Sequence, residues 1–210
     1  MNAHTSATQG EMTPQSALEA LEAGNARFVG RSPAQRDLIQ QVEQTAGGQF
    51  PFAVVLSCID SRASAELLFD QGIGDMFSAR IAGNFVNDDI LGSMEFACKV
   101  AGAKLIVVLG HTACGAVRGA IDEVELGNLT GMLANITPAI SETEFSGERA
   151  GTNPAFTTAV AHQNVRRTID QVRERSEVLR SLLDDGSIGI VGGMYDVKTG
   201  KVTFDSLEKT

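Results

Sequence analysis

The chain has 210 residues, 43% of them hydrophobic and 20% charged, which suits one globular domain and argues against wholesale disorder. With 17 Lys and Arg against 26 Asp and Glu, the net charge of −9 excludes nucleic-acid binding by bulk charge. No apolar run approaches the roughly 18 residues of a membrane helix, and three cysteines do not make a disulfide framework.

Residues 1–12 are small and polar and read as a disordered tail. They lack the basic and apolar regions of a secretory signal, and with unpaired thiols this predicts a reducing, cytoplasmic setting. Residues 13–46 read as a helical arm. Thr13 and Pro14 form a helix start, Leu18, Leu21 and Phe28 follow at helical spacing, and a second amphipathic stretch runs over 33–45. The arm has few large apolar residues, so it is expected to pack on something else, such as a second subunit.

The main domain spans 47–210. An unbroken apolar run at 52–56 predicts a strand covered on both faces, followed by a helix over 64–69 and a weaker strand over 76–82. An amphipathic helix follows at 88–100. A second strong strand covers 104–110, and a helix is expected to begin at once over 111–121. Residues 122–153 read as short helical pieces and polar linkers, and 154–183 as one long helix. A third strong strand lies at 187–191, then a hairpin over 195–204 turning at 198–200. Strands alternating with helices predict an α/β fold, with a mostly parallel central sheet flanked by helices.

Two segments carry chemistry. Cys58-Ile59-Asp60-Ser61-Arg62 follows the first strand, and His111-Thr112-Ala113-Cys114-Gly115 the second. Sites in open α/β sheets form at the C-terminal strand ends, so Cys58, His111 and Cys114 are expected to meet there. Two thiolates and an imidazole suit Zn2+. His111 and Cys114 are three apart, a spacing that the first turn of a helix can aim at one point. The helix dipole there favours the thiolate of Cys114. No fourth Cys or His is available: Cys98 reads as buried and inert, and His162 as an ordinary mid-helix histidine. Asp60 and a water contest the fourth position, with Arg62 holding the carboxylate back. There is no G-x-G-x-x-G, P-loop or G-x-S-x-G motif.

Cys-x-Asp-x-Arg after one strand and His-x-x-Cys-Gly after a later one, with Arg80-Ile-Ala-Gly-Asn84 and the segment 189–196, resemble the β-class carbonic anhydrases from about Gln49 to the hairpin. The resemblance implies one Zn2+ per chain on Cys58, His111 and Cys114, with Asp60 and Arg62 as the catalytic dyad. It implies reversible hydration of CO2 to bicarbonate and a proton by zinc-bound hydroxide. Gln49, Phe77, Ala82 and Gly115 match substrate-site positions, Gln49 being the glutamine that the plant-like branch points across the dimer interface. The partners implied are CO2, bicarbonate and further copies of the chain, as a dimer or a tetramer, with no nucleic acid and no membrane. Phe96 stands where that branch often has tyrosine. Val55 stands where the other branch has a tryptophan in a non-catalytic bicarbonate pocket, although Arg80 is retained. Two thiolates cancel the formal charge of Zn2+, which predicts a water less acidic than on three histidines and activity favouring alkaline pH. Hydrolysis of CS2 or COS, a structural zinc closed by Asp60 and a redox thiol protein are the rival readings of these residues.

Overall fold

A computed structural model of the chain describes residues 1–207. Ten α-helices and five strands lie among them. In chain order they are α1 (Ser6–Gly10), α2 (Pro14–Val29), α3 (Leu38–Thr45), β1 (Ala53–Ser57), α4 (Ala65–Leu68), β2 (Met76–Arg80), α5 (Asp88–Glu95), β3 (Leu105–His111), α6 (Gly115–Ile121), α7 (Gly127–Leu133), α8 (Thr137–Glu142), α9 (Pro154–Arg175), α10 (Glu177–Asp184), β4 (Gly189–Tyr195) and β5 (Val202–Phe204). The strands form one sheet in the order β2-β1-β3-β4-β5, in which the first four are parallel and β5 runs antiparallel to β4.

Alternate residues of the central strands feed two separate cores. Ala53, Val55, Leu105, Val107, Leu109 and Val191 face α2 and α4. Val54, Leu56, Ile106, Val108 and Ile190 face α5, α9 and α10. Burial on both faces is why these strands read as unbroken apolar runs. At the edge, β2 (Met-Phe-Ser-Ala-Arg) alternates between more and less buried residues, which weakens its signal. A third cluster packs Cys58, Phe85, Cys114, Ile136, Phe156 and Val160 beneath the C-terminal ends of β1 and β3.

Several expectations are corrected. Residues 1–12 are not simply a loose tail: Thr5 caps α1, and the buried Gln9 amide donates to Pro51 O (2.7 Å) and Ala101 O (2.8 Å). Within 13–46, α2 does not wait for a partner, because Ala17, Leu18 and Leu21 sit in the core of their own chain. Small side chains make that possible; a Cβ at Gly24 would collide with the Phe69 carbonyl. Arg27 and Arg36 both pair with Asp70 (2.5 and 2.7 Å) and tie this region down. An apolar stripe stays in solvent on α3, with Leu38, Ile39 and Val42 exposed, as do Phe28 and Val29 at the end of α2. The helix over 88–100 loosens after Glu95 into a π-helical turn at Phe96–Val100. The helix over 154–183 is two, because Ser176 leaves helical geometry and caps α10 through Leu179 N–H, while its hydroxyl binds Glu95 (2.6 Å).

Candidate metal centre and active site

β1 and β3 are parallel neighbours in register, with Ser57 beside Leu109. Their next residues therefore emerge at one end of the sheet. Cys58 follows β1, His111 ends β3, and Cys114 is the N-cap of α6. His111 thus belongs to the strand and not to the first turn of a helix, because the β-pairing with β4 continues to His111 and Tyr195. The chain instead turns at Ala113, whose φ of +54° is a left-handed conformation that costs a non-glycine residue of order 1–3 kcal/mol.

Sγ of Cys58, Sγ of Cys114 and a ring nitrogen of His111 lie within 4.8 Å of one another, all on buried residues; the two sulfurs are 4.0 Å apart. Nδ1 of His111 lies 2.9 Å from Thr112 O. A carbonyl only accepts, so Nδ1 carries the proton and Nε2 presents a lone pair. That Nε2 is buried and has no hydrogen-bond partner, an orphan that a metal ion would satisfy. Thr112 is itself pinned, its N–H donating to Tyr195 O (2.9 Å) and its Oγ1 accepting from Val197 N–H (3.1 Å).

The thiols share their charge unequally. Cys58 is pulled well below the ordinary thiol range, chiefly by the Cys114 thiol, with help from His111 and the backbone N–H of Gly83. Cys114 is pushed up by the same contact and by burial. The α6 amides of Val117 and Ala116 do favour a Cys114 thiolate, but the neighbouring sulfur outweighs them. Cys98 lies outside this group, and burial pushes its thiol up to about 12. His162 bonds the Asp205 carboxylate at 3.0 Å.

Beside the thiols, Arg62 forks onto Asp60, Nε to Oδ1 at 2.9 Å and Nη2 to Oδ2 at 2.8 Å. Arg62 N–H adds a third bond to Oδ1. This arginine holds the Asp60 carboxyl far below its usual range. Both oxygens are turned toward Arg62, and Asp60 is not among the groups close enough to share a metal with the three ligands. Arg62 also reaches Ala113 O (3.4 Å), which links the two motifs.

A family model described as carbonic anhydrase matches residues 53–202. A carbonic anhydrase of Mycolicibacterium smegmatis is 38% identical over 197 residues, which are 92% of this chain and 94% of that one. Carbonic anhydrase 2 of Mycobacterium tuberculosis is 38% identical over 192 residues, 90% of this chain and 91% of that one. The chain belongs to the β-carbonic anhydrase family. It is an enzyme family of lyases whose general reaction is CO2 hydration. Among solved structures, a β-carbonic anhydrase of Aspergillus fumigatus superposes with a TM-score of 0.70 at 25% identity, covering 91% of this chain and 90% of that one. A structure described as a tetrameric β-carbonic anhydrase of Sordaria macrospora gives 0.70 at 22% identity, over 92% and 99% of the two chains.

In this β-carbonic anhydrase chain the four residues matched to a substrate site fall in two places. Ala82 precedes Gly83, whose N–H donates to Cys58 Sγ (3.4 Å), and Gly115 is the exposed first residue of α6 with open space at its Cα. Both are local to the ligands. Gln49 and Phe77 are not. Gln49 is exposed before the start of β1, and the metal ligand follows the end of that strand. Five strand residues span about 16 Å. Phe77 is level with Val54, again about 13 Å short of Cys58 at strand spacing. It packs edge-on against Phe96 (centroids 6.1 Å, 69°) beside a groove of about 680 Å³ on the β2 edge.

Three supporting contacts escaped the reading of motifs alone: Arg80 on the Cys58 and Asp60 carbonyls, Gly83 on Cys58, and Asn164 Nδ2 on Gly83 O (2.8 Å). The segment Arg80-Ile-Ala-Gly-Asn84 at the end of a strand was the available signal. Gly83 has φ +81°, and a Cβ there would strike Ile136 Cδ1. Gly83→Ala is expected to destabilise the zinc-loaded protein by about 2–4 kcal/mol, from left-handed strain plus overpacking. A urea midpoint with an unchanged slope measures this; a loss under about 0.5 kcal/mol contradicts it.

Proposed function

We propose that the chain catalyses zinc-dependent, reversible hydration of CO2 to bicarbonate and a proton, with one Zn2+ per chain held by Cys58, His111 and Cys114. The observation that carries the reading is the orphaned, buried Nε2 of His111 facing two thiols, one step from a carboxylate locked by a bidentate arginine. Two soft sulfurs and one imidazole are a donor set for zinc with a position left open for chemistry. When bound, zinc supplies Lewis acidity, which lowers the pKa of a water from 15.7 to about 7 in carbonic anhydrase with three histidine ligands.

The chain's own residues do the rest. Arg62 keeps Asp60 ionised and aimed. Asp60 accepts a hydrogen from the attacking oxygen, so that the oxygen's lone pair faces the CO2 carbon. Arg62 turns both Asp60 oxygens toward itself and leaves Oδ2 with one bond and room for that hydrogen, which supports an open site over a closed structural one. Ala82 and the partner's copies of Phe77 and Phe96 form an apolar wall for a substrate without charge. The partner's Gln49 amide and the Gly115 N–H donate to the bicarbonate that forms. Gln49 and Phe77 serve a partner because neither reaches its own site, and β2 offers a free sheet edge on which a second copy can sit. Three buried, unpaired cysteines support a reducing, cytoplasmic setting.

Stopped-flow CO2 hydration from pH 6.5 to 9, on protein of measured zinc content, tests the reading. Asp60 is held below the usual carboxylate range, so it is ionised throughout this window and adds no slope. Its contribution is present above the unfolded value of about 3.9 and is lost only as pH falls through its lower folded value. Asp60 therefore adds nothing to the pH dependence across this window. With two thiolates against the metal's charge, activity is expected to rise with pH, by up to about tenfold per unit on the acid side. One zinc per chain without turnover at any pH refutes the proposal; turnover of COS or CS2 in its place moves the same site to another substrate.

A further inference from the structure

We propose that Arg80 is a positioning residue that sets the backbone joining the metal ligand Cys58 to the catalytic carboxylate Asp60. The proposal rests on the roles given to those two residues above. β1 and β2 are parallel, with Ser57 beside Arg80, and the last backbone bond past that pair runs from Ile81 N–H to Ser57 O (3.1 Å). The chain after β2 then turns away through Gly83 (φ +81°) and Asn84 (φ +42°). The carbonyls of Cys58 and Asp60 therefore lie beyond the ladder that satisfies the strand before them.

Arg80 takes the place of that ladder on Cys58 O and joins the Ala63 N–H (3.0 Å) on Asp60 O. Its Nε donates to Cys58 O at 3.0 Å and its Nη2 to Asp60 O at 2.7 Å. One planar fork holds two carbonyls that flank Ile59, a geometry a lysine cannot reproduce. Ile59 is 60% exposed, so no core contact of its own side chain fixes the segment. Arg62 aims the Asp60 carboxylate; Arg80 aims the peptide that carries it. Arg80 is itself exposed and outside the apolar clusters, so replacing it leaves the packing of the domain in place.

A misplacement of about 1 Å in a catalytic group can cost about 100-fold in rate. In zinc-loaded, full-length protein, Arg80→Gln is expected to keep its zinc and its thermal midpoint and to lose about 10- to 30-fold in kcat, with KM for CO2 within about twofold. Arg80→Lys, with a single point donor, should fall between the two. A second readout needs no turnover. With cobalt(II) in place of zinc, the ligand-field absorption bands should shift in Arg80→Gln, and stay in place in a control at the exposed surface residue Arg166 (Arg166→Gln). Unchanged kcat with unchanged cobalt bands overturns the proposal. So does an activity loss that only matches lost zinc or lost fold, which would make Arg80 merely structural. If the unaltered protein hydrates no CO2, the functional reading fails by itself, and the cobalt bands still decide whether Arg80 sets the ligand geometry.

Discussion

His111→Ala is expected to strip the zinc and to lower CO2 hydration by more than about 10^4-fold, since the metal supplies the acidified water. The imidazole is 1% exposed, its tautomer is fixed by Thr112 O, and its free nitrogen has no other partner. Without it the two sulfurs remain, and two donors do not complete a zinc site. The apolar floor of Phe85, Ile136 and Phe156 offers no replacement ligand. Elemental analysis and stopped-flow assay of the same sample check the result together. A variant that retained both zinc and turnover would remove His111 from the metal centre. Loss of the bound ion should also lower the unfolding midpoint, because an ion that binds only the folded chain stabilises it.

Asp60→Asn isolates the second half of the site. The amide keeps the shape, but its NH2 group turns a donor toward the Arg62 donors and cannot accept from the attacking oxygen. Zinc content should stay at the level of the unaltered protein, and kcat should fall by about 10^2 to 10^4, the usual range for a lost acid–base group. Full turnover at pH 8 would sink the role given to Asp60. The same variant tests where Gln49 acts. In the proposed dimer, mixing equal amounts of Asp60→Asn and Gln49→Ala chains, each expected to be nearly inactive alone, should restore about a quarter of full activity, since half of such dimers are mixed and each holds one intact site. If Gln49 served its own chain, no recovery would follow.

The central strands and the meeting of Cys58, His111 and Cys114 were legible because one cause produced both signals. β1 and β3 are covered on both faces, so they appear as unbroken aliphatic runs, and the ligand motifs begin where those runs stop. The local geometry was less legible. His111 was expected in a helix because its motif resembles a helix start, yet pairing to β4 carries the strand through it. Docking of α2 was hidden because it depends on alanine and Gly24, which carry little hydrophobic signal but allow close approach. The break at Ser176 lies among charged residues, where periodicity is faint. The meeting of the Cys58 and Cys114 sulfurs is a 4.0 Å contact across 56 positions, and no local pattern encodes that.

Because Cys58 follows β1 while His111 and Cys114 lie three residues apart at the end of β3, an unfolded chain would offer the proposed metal only a two-point grip. The third ligand arrives when β1 and β3 pair, which closes a loop of more than fifty residues at a substantial entropic cost. Ion capture therefore rewards that one pairing above all others. On the proposed ligand set, a bound metal would thus hold the centre of the sheet in its native order.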